Sequence, residues 1–121
     1  MERKAQENLE AARALLGLDE PCTNAATSRA YYAAYHSCWA LMADAGRRPP
    51  TTERGTYFSH KELPEQAKLA GVLNDEESEL LEFLEGQRVV ADYFFEDVTA
   101  NVARDCVRSA EMIVARTTLG G

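Results

Sequence analysis

The chain has 121 residues, 45% of them hydrophobic, and its 13 Lys and Arg against 20 Asp and Glu leave a net charge of -7. That length fits a single helical domain over residues 1–121 with a small core, a limitation that dimer formation would relieve. The acidic balance argues against a broad basic surface that captures nucleic acid by charge alone, while leaving room for a local phosphate-binding cleft.

The first predicted helix runs from Glu2 to Leu16, with Ala5, Leu9, Ala12 and Leu16 as a shallow apolar face and Gly17 as its terminator. Its polar opening, MERKAQENLE, lacks the apolar section of a secretory signal. No apolar run along the chain is long enough to span a bilayer, so the expected setting is cytoplasmic and without a membrane. Cys22, Cys38 and Cys106 are odd in number and widely spaced, which gives neither a paired metal motif nor a disulfide framework. Reduced thiols are expected, with Cys38 and Cys106 in packing roles.

After the segment GLDEPCTN, Thr23 or Asn24 can cap a second helix that should end near Gly46. Its centre, SRAYYAAYHSCWALM, spans Ser28 to Met42 without a proline. Arg29, Tyr32 and His36 form one helical line, while Tyr31, Tyr35, Trp39 and Met42 form an adjoining one. Ala30, Ala33, Ala34 and Ala40 carry little bulk, so neighbours can approach from several sides. The spacing predicts a central helix in which Tyr31, Tyr35 and Trp39 chiefly pack and Arg29 and His36 border a polar inner cleft.

The turn-rich RRPPTTERGT follows, placing Arg54, Tyr57, Phe58 and His60 in a loop or at the entry to the next helix. Leu63, Pro64, Ala67, Leu69 and Ala70 predict a short packed helix or irregular crossover, with Pro64 near its start. Asn74 and Glu77 have the spacing of a capping box, and Leu80, Leu81, Leu84, Val89 and Phe94 mark the long helix beyond it. Gly86 costs about 1 kcal/mol of helix preference, which packing can outweigh. Arg88 and Asp92, an i, i+4 pair, can face one polar pocket with Tyr93 beside them. A final helix runs from the region of Asp97 to Thr99 towards Arg116, with Val102, Cys106, Ala110 and Ile113 on one face and a frayed TTLGG end. Four long helices and a short helical crossover make an all-α, up-and-down four-helix bundle.

Several function classes lack their residues. There is no glycine-rich phosphate loop followed by lysine, no HExxH, and no compact cysteine–histidine cluster, so neither a metal nor a cofactor is expected. Glu76, Glu77 and Glu79 fit capping and solvation better than paired hydrolytic carboxylates.

Taken in order, SRAYYAAYHSCWALM, RVVADY and ARDCVRSAEMIVA resemble the HEPN family of helical domains, in its small-protein branch, over most of the chain. The resemblance implies the four-helix bundle, commonly a homodimer, and partnership with nucleotidyltransferase-like proteins in toxin–antitoxin or defence systems. Active ribonucleases of that family carry an arginine, four to six intervening residues and a histidine, often with tyrosine close behind. The matching element here reads Arg88-Val89-Val90-Ala91-Asp92-Tyr93, with aspartate near the expected histidine. A histidine exchanges protons near neutral pH, whereas an aspartate stays a carboxylate that repels phosphate. Asp92 more simply orients Arg88 in an internal salt bridge.

Two readings result. In the first, the chain is a noncatalytic or catalytically diverged HEPN-like homodimer binding a protein or a nucleotide or RNA through a cleft of Arg29, Tyr32, His36, His60, Arg88, Asp92 and Tyr93. In the second it is a metal-independent RNA endonuclease toxin. There Arg54 or Arg88 would hold phosphate and His60 or His36 would move a proton while the RNA 2'-hydroxyl attacks phosphorus, Arg54 and His60 also satisfying the spacing in RGTYFSH. The missing histidine favours the first reading.

Overall fold

The computed structural model describes residues 1–120, with side chains described through Thr117. The elements in order are α1 (Glu2–Leu16), α2 (Thr23–Asp44), the two-residue strands β1 (Thr51–Thr52) and β2 (Gly55–Thr56), α3 (Leu63–Leu69), α4 (Asp75–Tyr93) and α5 (Ala100–Gly120). Helices α1, α2, α4 and α5 pack as a four-helix bundle, and the short α3 crosses over between α2 and α4.

Helix α2 is the axis of the molecule and packs against α1, α4 and α5. Its sequence permits this because Ala26, Ala30, Ala33, Ala34 and Ala40 are all buried, so three neighbouring backbones approach closely without leaving voids. Tyr31, Tyr35, Cys38 and Met42 fill the gaps between them, with Trp39 partly buried. Helix α1 contributes Ala5, Leu9 and Ala12; α4 contributes Leu81 and Leu84; α5 contributes Ala103, Cys106, Ala110 and Ile113. Each fully buried leucine or isoleucine stabilises the bundle by about 2 kcal/mol.

The helix ends follow local chemistry. Asn74 Oδ1 accepts from the backbone N–H of Glu77 at 2.8 Å, and Glu77 Oε1 accepts from the backbone N–H of Asn74 at 2.9 Å, completing the capping box. Glu77 also receives Arg116 from α5, so this carboxylate ties two helices together and is itself buried, a role beyond capping and solvation. The expected cap of α2 is corrected: Cys22 occupies the cap position with no side-chain hydrogen bond. Asn24 instead donates to Asp97 Oδ1 and accepts from the backbone N–H of Val98, both at 2.9 Å, pinning the α4–α5 connection to α2.

Four further details depart from the sequence-based picture. The turn after α2 closes into a small antiparallel hairpin, in which Thr52 Oγ1 donates to the Gly55 carbonyl at 2.8 Å and Gly55, at φ 126°, makes the bend. Leu69 is exposed rather than packed, because it falls on the outer side of α3. Phe94 is not part of the apolar face of α4 but its exposed C-terminal cap, in extended conformation. The terminal stretch expected to fray continues α5 to Gly120, with Thr117 buried and donating to the Val114 carbonyl at 2.7 Å, while Gly121 lies outside the described residues. Among the described residues, no helix is long and apolar enough to cross a membrane.

Candidate functional site

Helices α2 and α4 and the loop before α3 meet around the guanidinium of Arg88. Arg88 lies in the last turns of α4 and is 8% exposed, so its charge needs protein partners. Glu85, one turn earlier, accepts three hydrogen bonds from it at 3.0–3.2 Å. Asp92, one turn later, adds an ion pair at 3.6 Å and itself accepts from Ser28 Oγ of α2 at 2.5 Å. The flat guanidinium also stacks over aromatic faces, with its Cζ 5.3 Å from the Tyr31 ring centre and 6.0 Å from that of Tyr93. Burial opposes the charge on Arg88, but the hydrogen bonds and charge of Glu85, with smaller contributions from Tyr32 and Tyr31, outweigh it and hold its pKa above the ordinary arginine value.

The loop brings His60 onto the other side of Tyr31. Tyr35 donates its hydroxyl to the Phe58 carbonyl at 2.8 Å and its ring lies 4.6 Å from that of His60, which fixes the loop against α2. The Tyr31 hydroxyl and His60 Nδ1 are 2.5 Å apart. Burial, then the negative Glu85, raises the Tyr31 pKa far above its usual value, so the phenol keeps its proton. Burial and the nearby Arg88 lower the His60 pKa against a smaller opposing effect of Glu85. A protonated phenol and a neutral imidazole allow either direction across this contact, and where Tyr31 O–H donates, Nδ1 accepts and the ring proton sits on Nε2. In that tautomer neither ring nitrogen offers a free lone pair for proton abstraction.

The remaining predicted residues are distributed around this centre. Tyr32 touches the His60 ring at 6.0 Å and the His36 ring at 6.4 Å, linking both histidines through aromatic contacts. His36 is turned towards α1, its pKa lowered by burial and then by Lys4 and the amino terminus, with a buried Nδ1 that has no hydrogen-bond partner among the described residues. Arg29 is exposed and donates to Asn8 of α1 at 3.3 Å, so it joins the α1 side of α2 instead of the Arg88 cluster. Arg54 occupies the exposed hairpin turn, its backbone N–H bonded to Thr52 Oγ1 at 3.2 Å. Tyr93 stacks on Arg88 yet is largely exposed, and with Phe94 and Phe95 it makes an aromatic rim at the end of α4.

Three participants were not singled out as site residues from the sequence. Glu85 sits at i−3 from Arg88, a spacing that pairs opposite charges on a helix and was available to notice. Ser28 adjoins Arg29 but its bond to Asp92 spans two helices, and nothing local to either segment signals it. The sequence predicts packing for Tyr31, and it packs, but it also separates Arg88 from His60 while touching both. With Arg88 positive, Glu85 and Asp92 negative and His60 neutral, the cluster carries a formal charge of about −1 at neutral pH, which disfavours an incoming phosphate. Among the described residues, no three His, Cys, Asp or Glu side chains are grouped to hold a metal ion.

Residues 2–118, nearly the whole chain, match the family model of the HEPN domain. No curated protein gives a match.

Proposed function

We propose that this chain, which belongs to the HEPN domain family, is a noncatalytic or catalytically diverged member that acts by binding a protein or a nucleotide or RNA partner. The observation that carries this reading is the carboxylate pairing of Arg88: Glu85 accepts three hydrogen bonds from its Nε and one terminal nitrogen, Asp92 stands 3.6 Å from the other, and the Tyr31 and Tyr93 rings lie beside it, so a phosphate would have to compete with two carboxylates for this guanidinium. Asp92, near the place of the family's usual histidine, serves here as an acceptor for Arg88 and Ser28. A homodimer, a nucleotidyltransferase-like partner and a role in a toxin–antitoxin or defence system belong to the same reading, and rest on family membership and the small core. Light scattering on the purified chain across concentrations should give a two-chain particle, and a persistent monomer would remove the homodimer.

The second reading, a metal-independent ribonuclease, draws support from one feature: His60 reaches the Arg88 cluster through Tyr31, although it comes from a different segment. For His60 to take a proton from an RNA 2'-hydroxyl, the Tyr31 bond to Nδ1 would have to open or the tautomer reverse. The deciding assay incubates single-stranded RNA in EDTA with wild type, Arg88→Ala, His60→Ala and His36→Ala prepared in parallel. No cleavage above the shared background is expected. Cleavage that collapses in His60→Ala or His36→Ala would overturn the noncatalytic reading.

A further inference from the structure

A cavity of about 350 Å³ opens at the far end of α2, about 16 Å along the helix from Tyr31, between that helix end, the loop residues Arg47, Arg48, Pro50 and Phe58 that flank the hairpin, and α3. Its volume is in the range of small-ligand sites. Met42 and Phe58, both almost wholly buried, supply its apolar floor, and the exposed Leu69 extends that floor to the rim. Arg47 and Arg48 also line the cavity, and among the described residues neither guanidinium makes a hydrogen bond or an ion pair. Gln66 of α3 completes the wall, and its Oε1 is buried without a hydrogen-bond partner. An orphaned buried acceptor is unfavourable unless something donates to it.

These features are complementary parts of one recognition problem. Two arginines in an acidic protein, left unpaired beside an apolar floor, suit an anion with an apolar body. The chain's charge of -7 penalises a dianion more than a monoanion, which favours a carboxylate over a phosphate monoester. The buried Gln66 Oε1 asks for an N–H on the same ligand. The negative end of α2 lies close by, and the arginines also suit its dipole, but neither side chain bonds its terminal carbonyls.

We infer that the pocket of Met42, Arg47, Arg48, Phe58, Gln66 and Leu69 binds an apolar amido-carboxylate, the group shared by N-acylated apolar amino acids and by peptide carboxyl termini. The carboxylate meets Arg47 and Arg48, the amide N–H donates to Gln66 Oε1, and the apolar side chain covers Met42 and Phe58. This site is separate from the Arg88 cluster and does not depend on the binding role assigned to it.

The test titrates the full chain with N-acetyl-phenylalanine, its uncharged amide, 3-phenylpropionate and a short peptide ending in phenylalanine, followed by backbone amide NMR shifts. N-acetyl-phenylalanine should saturate shifts around Phe58, Gln66 and Ala70 with a dissociation constant near or below about 1 mM. The uncharged amide and the Arg47→Gln/Arg48→Gln variant should each weaken binding about tenfold. Gln66→Leu should weaken N-acetyl-phenylalanine and leave 3-phenylpropionate, which lacks the N–H, unchanged. A peptide that binds more tightly than N-acetyl-phenylalanine assigns the natural source to a protein carboxyl terminus, and equal binding assigns it to a free acylated amino acid. No saturation by either the acid or the peptide, equal binding of acid and amide, or full binding by the double variant would overturn the site. The variants carry their own control, since an unchanged spectrum away from the pocket establishes that each is folded.

Discussion

Arg88 and the Arg47–Arg48 pair place the same side chain in opposite circumstances. Arg88 is buried at the meeting of α2, α4 and the α3 entry loop, hydrogen-bonded to Glu85, ion-paired with Asp92 and set beside the Tyr31 and Tyr93 rings. Arg47 and Arg48 are exposed, unpaired among the described residues, and set beside an apolar cavity that also holds an orphaned acceptor. A buried, carboxylate-paired arginine is part of the architecture, and an unpaired one retains the capacity to recognise a ligand. The contrast is testable because the first arrangement should appear in stability and the second in binding.

The largest effect is expected from Arg88→Ala. Removing the cation leaves Glu85 and Asp92 without their common partner and uncovers the Tyr31 ring. Loss of one partner from a buried pair costs about 3–5 kcal/mol, and the partial solvent access of both carboxylates lowers this to about 2–3 kcal/mol. Thermal unfolding should fall by roughly 10 °C for a chain of this size. A shift within the error of the melt would mean that Arg88 is not structural, and the comparison would break at its stronger end.

Acidification probes the same region without a mutation. His60 and His36 are both held below the ordinary histidine pKa, chiefly by burial, with Arg88 acting on His60 and Lys4 and the amino terminus on His36. Because the folded pKa is the lower one, protonation favours the unfolded chain. The stability from keeping these rings neutral is complete above the unfolded value near 6.5 and declines as pH falls below it. Chemical denaturation at pH 7.5 and 5.5 should therefore show a loss at the lower pH that shrinks in His60→Gln. An unchanged loss in that variant would place the titration elsewhere.

The two ends of this comparison were unequally legible in the sequence. Helix bounds, the Asn74–Glu77 box and the alanine-lined α2 follow from spacing and residue size within single segments, and the bundle follows from four such patterns. The Arg88–Asp92 pair was equally local, at i, i+4. The Ser28–Asp92 and Tyr31–His60 bonds join segments far apart in the chain, so their registers depend on how the helices settle and leave no local trace. The pocket was still less visible, because Arg47, Arg48 and the prolines beside them read as an ordinary turn. Its cavity exists only once Phe58 has been drawn onto α2 by Tyr35 and α3 has brought Gln66 alongside. Leu69 and Phe94 show the complementary error, since apolar residues at helix margins fit a periodic pattern and yet face outward.

Asp92→Asn should have a modest effect. It keeps the shape of the side chain and an acceptor for Ser28 while removing one charge from a pair at 3.6 Å, and Glu85 remains on Arg88 at 3.0 Å. The cost should be about 0.5–1 kcal/mol in urea unfolding, as for partly exposed ion pairs. A loss as large as that of Arg88→Ala would make Asp92, not Glu85, the principal partner.

The smallest effect is predicted for Arg47→Gln and Arg48→Gln, singly or together. Neither side chain is bonded to another described residue and both stand in solvent, so the unfolded and folded chains lose nearly the same environment when the charge is removed. Unfolding free energy should change by no more than about 0.5 kcal/mol per substitution, the usual range for surface positions. In a chain of net charge -7, losing two positive charges also adds a little general repulsion, which should diminish with added salt. A salt-independent loss above about 1 kcal/mol would indicate a structural partner for these arginines, such as the terminal carbonyls of α2. That result would place them in the same category as Arg88, whereas an unchanged melt combined with lost ligand binding would give the two arginine environments the separate physical roles that their bonding implies.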